Sequence, residues 1–113
     1  MRYVLMFVEA EQFAQDLANM SDTGREAAFE AVDRWFAEHA AKITHHVHLQ
    51  PAHTATTVRL DDGRPLIIDG PFVEGEELVS GFVEVDVADL EEAVAMARTW
   101  PGCPIVELRP AAV

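Results

Sequence analysis

From Arg2 to Val8 the chain is almost continuously apolar, which predicts a central strand covered on both faces. Glu9 to Met20 turns polar, with Phe13, Leu17 and Met20 at helical spacing, and suits a short helix or an ordered loop. Thr23 and Glu26 have capping-box spacing and predict a helix start. Ala28, Ala31, Val32, Trp35, Phe36 and His39 then recur at helical intervals, one stripe facing a core. Ile43 to Gln50 alternates with period two. Unbroken alternation puts Ile43, His45, Val47 and Leu49 on one face and Thr44, His46, His48 and Gln50 on the other. Ala55 to Leu60 and Arg64 to Asp69 predict two strands joined by an Asp61-Asp62-Gly63 hairpin turn. Leu78 to Val87 predicts a further strand. Val79, Val83, Val85 and Val87 share one of its sides, and Ser80, Phe82, Glu84 and Asp86 the other. Asp89 and Glu92 repeat the capping-box spacing, and Pro101-Gly102 stops the helix before a last strand, Ile105 to Arg109.

This order reads β-α-β-β-β-α-β. It predicts one α+β domain over residues 1–113, ferredoxin-like, an antiparallel sheet with two helices on one face and an extra hairpin strand. The other face is expected to be mixed and to carry His46, His48, Thr57, Arg59, Ser80, Phe82 and Glu84. A polar face with an embedded aromatic invites a second sheet, so a homodimer with a cleft between sheets is expected.

Composition narrows the function. The 113 residues are 50% hydrophobic and carry a net charge of −12. Such a chain repels phosphate backbones and anionic lipid surfaces, so neither nucleic acid nor membrane is an expected partner. Cys103 is the single cysteine, which excludes an internal disulfide and fits a reducing compartment. The first residues lack the pattern of a secretory signal, and the expected location is cytoplasmic.

The segment with most chemical content is Asp69-Gly70-Pro71-Phe72, a stiff corner that fixes a carboxylate beside an aromatic ring. With Thr54-Ala55-Thr56-Thr57-Val58-Arg59 before it and Gly81-Phe82 and Arg109-Pro110 after it, the chain resembles the YCII-related family, also called the DGPF-domain family. The resemblance runs from Tyr3 to Pro110. It implies a dimeric α/β-barrel assembly and a histidine–aspartate pair in a cleft, with Asp69 at the motif position and Arg59 at the family's arginine. The chain departs from the family pattern at Glu76, where relatives carry lysine.

Three readings follow. In the first, the chain is a small cofactor-independent enzyme of lyase or isomerase type acting on a small organic molecule. Asp69 and His46 or His48 form its acid–base pair, Arg59 clamps a substrate oxygen, and Thr57, Ser80, Phe82 and Glu84 line the cleft. In the second, the same cleft binds a small ligand without catalysis. In the third, His46 and His48, two apart on a strand, share a metal with Glu84, Asp69 or His53. An H-x-H pair supplies only half a tetrahedral shell, so neither a metal nor a cofactor is expected.

Overall fold

The computed structural model describes every residue except Asp62, Val73, Glu74, Glu76 and Val113. The central hairpin-turn residue and the Glu74 and Glu76 positions of the family comparison therefore lie outside the described residues.

Among the described residues six strands and three α-helices follow in order, with one 3-10 turn at Ala52–Thr54 between the second and third strands. They are β1 (Arg2–Ala10), α1 (Glu11–Asn19), α2 (Asp22–Glu38), β2 (Ile43–His48), β3 (Thr56–Arg59), β4 (Leu66–Asp69), β5 (Glu77–Asp86), α3 (Leu90–Arg98) and β6 (Ile105–Pro110). Four strands form an antiparallel sheet in the order β2-β5-β1-β6, which is the ferredoxin-like arrangement. The polar stretch after β1 is a third helix. Ser21, not Thr23, caps α2, its side chain accepting from the Gly24 amide at 3.1 Å. Asp89 caps α3 as its spacing predicts, accepting from the Glu92 amide at 2.9 Å.

The core lies on one side of the sheet. Tyr3, Leu5 and Phe7 of β1 and Val83 and Val85 of β5 meet Trp35 of α2 and Ala93 and Met96 of α3. The Trp35 ring packs edge-on to Phe7 and Trp100, and its Nε1–H donates to the Met96 carbonyl at 3.0 Å. The second face of β1 (Val4, Met6, Val8) is only partly covered, so the expectation of a strand buried on both faces does not hold within one chain.

Two bulges reset the alternation. On β5 the register with β1 slips between Phe7 and Val8, with Ser80 as the extra residue. Val79 is thereby paired with Val8 on the open face, and the Ser80 hydroxyl donates to the Phe7 carbonyl at 3.3 Å. On β2 the register with β5 slips between Ile43 and His45, leaving Thr44 unpaired. A one-residue slip moves every later side chain to the other face.

β3 and β4 do not join the main sheet. They form a separate two-stranded ribbon inserted between β2 and β5, ending at Gly70 with φ 108°. The radius of gyration is 16.1 Å, above the roughly 13–14 Å of a compact chain of this length. The shortest dimension is only 17 Å, which leaves space for one helix layer on one sheet and no third layer. The ribbon is thus an arm beside the domain. Among the described residues no helix is long and apolar enough to cross a membrane.

Gly81 sits where β2 crosses closest. A Cβ there would stand 2.7 Å from the Val47 carbonyl oxygen, so Gly81→Ala should cost about 1–3 kcal/mol in a denaturant titration. Cys103 is buried against the core, and burial pushes its thiol pKa up, with Trp100 and Ser80 partly offsetting this. A raised native pKa favours the neutral thiol. That stability is present below the unfolded pKa and is lost as the pH rises through the native one. Alkylation of Cys103 at mildly alkaline pH should run at least about tenfold slower in the native than in the urea-unfolded protein.

Candidate functional site on the open sheet face

The open face is built by the alternate residues of four strands. Val4, Met6 and Val8 form its centre line, with Phe82 and Glu84 on β5, Val47 and His45 on β2, and Glu107 and Arg109 on β6. The apolar middle is thus edged by ionisable groups. Glu107 and Arg109 neutralise one another at 2.6 Å. On the opposite edge His45 is the register partner of Glu84, and its ring lies 6.1 Å from that of Phe82. Cross-strand partners have Cβ atoms about 4.5–5.5 Å apart, so the imidazole and the carboxylate can reach one another.

This corrects the histidine assignment from unbroken alternation. His46 and His48 do not share the face of Phe82 and Glu84. His46 packs against Phe36 of α2, ring centroids 4.7 Å apart, and His48 pairs with Gly81, so both lie towards the helices. His45, which unbroken alternation puts on the same face as Ile43, is instead exposed on the open side. The Thr44 bulge is the reason. The Thr44 hydroxyl donates to the Glu84 carbonyl at 3.3 Å, which holds the slipped register. Glu84 is consequently across the sheet from His46, and the two do not converge. Among the described residues no three His, Cys, Asp or Glu side chains cluster as a metal site would require.

The other candidates sit on the arm. Asp69 pairs with Thr56, on the ribbon face of Val58 and Ile67. Arg59 pairs with Leu66 and lies on the other ribbon face, with Thr57 and Ile68. Asp69 and Arg59 therefore point to opposite sides. Arg59 ion-pairs with Asp61 at 2.5 Å rather than with Asp69 or Glu84, and its guanidinium stands over the Phe72 ring at 5.6 Å. That contact holds the Asp61 carboxyl below its ordinary pKa. The Thr57 hydroxyl donates to the Gly70 carbonyl at 2.8 Å and braces the corner. Of the eight residues chosen from sequence, only Phe82 and Glu84 stand together on the open face. His45 was missed, and its only sequence signal is a small polar residue, Thr44, before the three-histidine run.

A family model of the YCII-related domain matches residues 1–107. The chain belongs to the YCII-related family. An uncharacterized protein of Rhizobium meliloti (strain 1021) is 37% identical to it over 87 residues, covering 74% of this chain and 69% of that protein. Neither match brings an assigned reaction, so the chemistry of this YCII-related chain has to be read from its own side chains. Two shallow surface depressions lie on the outer sides of α2 and α3, and neither contains a residue of the open sheet face.

The face assignment is checked by ring-current effects. Phe82→Ala should shift the ring resonances of His45 and leave those of His46 in place, whereas Phe36→Ala should do the reverse. The opposite pattern would restore the unbulged register.

Proposed function

We propose that this YCII-related protein is a small cofactor-independent acid–base enzyme, cytoplasmic and homodimeric, acting on a small organic molecule held over the open sheet face. The observation that carries this reading is His45 beside Phe82 and opposite Glu84 on a face that no helix covers. Histidine is the side chain suited to taking and returning a proton near neutral pH. The substrate C–H proton would pass to the His45 imidazole, leaving the electron pair on an enolate-like oxygen. The imidazolium would then return the proton to another atom. The balance is an isomerisation, or an elimination if a leaving group departs. Glu84 would accept a hydrogen bond from the charged ring and favour that state. Phe82, Met6 and Val47 would supply an apolar wall.

Within the original acid–base set, His45 replaces His46 and His48, because the bulge turns those two towards the helices. Arg59 remains the cation for a substrate oxygen, supplied from the arm. Asp69 precedes the Gly70 corner on the other ribbon face, which suits a turn residue better than a proton carrier.

A second reading, a non-catalytic binding module, is favoured by one observation. Among the described residues His45 makes no hydrogen bond to a carboxylate, the orientation that a general base usually has. Exchange in deuterated water separates the two. Small oxo-acids and cyclic ketones are incubated with the protein, and loss of the C–H signal is followed by NMR. Deuterium wash-in that falls about 100-fold or more in His45→Gln, and little in His46→Gln, is the expected result. A ligand that binds the face with no exchange above buffer would leave the binding-module reading in its place.

A further inference from the structure

We infer that Arg109 and Arg2 form a carboxylate clamp at one end of the open sheet face, so that the molecule held there is a short oxo-acid rather than a neutral ketone. The assignment names the substrate class of the face described above and rests on that reading.

The register places the groups. His45, Glu84, Val4 and Arg109 are successive cross-strand partners, one row that runs over all four strands from β2 to β6. Arg2 precedes Val4 by two residues on β1 and therefore shares its open side, where both arginines are exposed. It lies diagonal to Arg109, a placement that sets Cβ atoms about 7–8 Å apart. From that distance two long arginine side chains can meet one anion over Val4.

Among the described residues no carboxylate bridges the two. Arg109 meets Glu107 at 2.6 Å, two residues back on its own strand, with the side chains 70% and 50% exposed. An ion pair so open to water contributes little to stability, and an incoming carboxylate exchanges with Glu107 at small cost. No ion pair among the described residues includes Arg2. Asp86, directly across from Arg2, accepts from the Met1 amino group at 3.3 Å instead. Two cations on one face repel, and an anion between them removes that cost. A carboxylate suits the place because its two oxygens match one guanidinium fork and keep lone pairs for the second.

The rest of the row sets the length and direction of the acid. His45 and Arg109 are three strand spacings apart, about 14 Å between backbones. Side chains leaning in from both ends narrow that span to the length of a short acid, with Val4 and Met6 as its apolar floor. Glu84, directly across from His45, repels a carboxylate from that end. The acid therefore lies with its charged group towards Arg109 and a C–H beside the imidazole. Arg59 is left to the enolate-like oxygen, a different atom of the same molecule.

The test uses the full chain, labelled with heavy nitrogen, and two probes, levulinate and its uncharged counterpart levulinamide. Each is titrated while the arginine Nε–H signals are followed by NMR. Levulinate should bind about tenfold or more tightly than levulinamide and shift the Arg2 and Arg109 signals. That preference should fall to about twofold or less in Arg109→Gln, and in part in Arg2→Gln. Glu107→Gln removes the competing carboxylate and should strengthen levulinate binding about threefold while leaving levulinamide unchanged. A pair that serves only to brace β6 would change both probes alike. All three positions are exposed, so Trp35 fluorescence should stay native in each variant.

Equal affinity for acid and amide, no detectable binding of either, or a preference that survives Arg109→Gln would overturn the clamp. The acid–base reading fails separately. His45→Gln should lose deuterium exchange into bound levulinate and keep the preference for the acid. Exchange that persists in His45→Gln, with the preference intact, would sink the acid–base reading and leave the clamp standing.

Discussion

Trp35 fixes the side of the sheet on which everything else is built. Its indole lies between β1 and the end of α3, edge-on to Phe7, with Nε1–H bonded to the Met96 carbonyl and to Thr99 Oγ1 at 3.1 Å. One ring thus ties the two long-range helices to each other and to the central strand. Trp100 stacks on Phe7 with centroids 4.0 Å apart and completes the cluster. With so much aromatic surface committed to one layer, both helices must share that layer. The opposite face of a four-stranded sheet is left without cover.

That constraint gives the open face its character. A solvent-facing sheet would carry alternating polar residues, but here the central strand presents Val4, Met6 and Val8 to the uncovered side. Polar groups appear only towards the edges, at His45, Glu84, Glu107 and Arg109. An apolar floor with ionisable edges suits a small organic molecule more than bulk water. It also suits another sheet.

The two bulges show how local register converts sequence into chemistry. Ser80 and Thr44 each occupy a position with no partner across the ladder, and each spends its hydroxyl on a neighbouring carbonyl. The backbone bends, and side chains beyond the bulge change faces. His45 comes to the open side because of one residue. Gly81, opposite His48, permits the close approach of β2 that the bent strand requires.

The sequence by itself determined most of the element types, the ferredoxin-like order, the shared side of Val83 and Val85, the Asp89 cap and the turn at Gly63. Each of these follows from local periodicity or turn chemistry, which a single chain displays openly. Membership of the YCII-related family was equally legible, because its motifs are contiguous. Ser21 was missed as a cap because Thr23–Glu26 has the same spacing two residues later. The faces of β2 and of the start of β5 were legible only up to the bulges. A bulge is set by the neighbouring strand's hydrogen-bond ladder, and no pattern within one strand records it. Asp69 adjoins the Gly70 corner and Arg59 the hairpin turn, and the ribbon's pairing puts them at opposite ends and on opposite sides. Tertiary structure alone decided that His45 rather than His46 meets Phe82, since that choice depends on which residue of β2 lies across from Glu84.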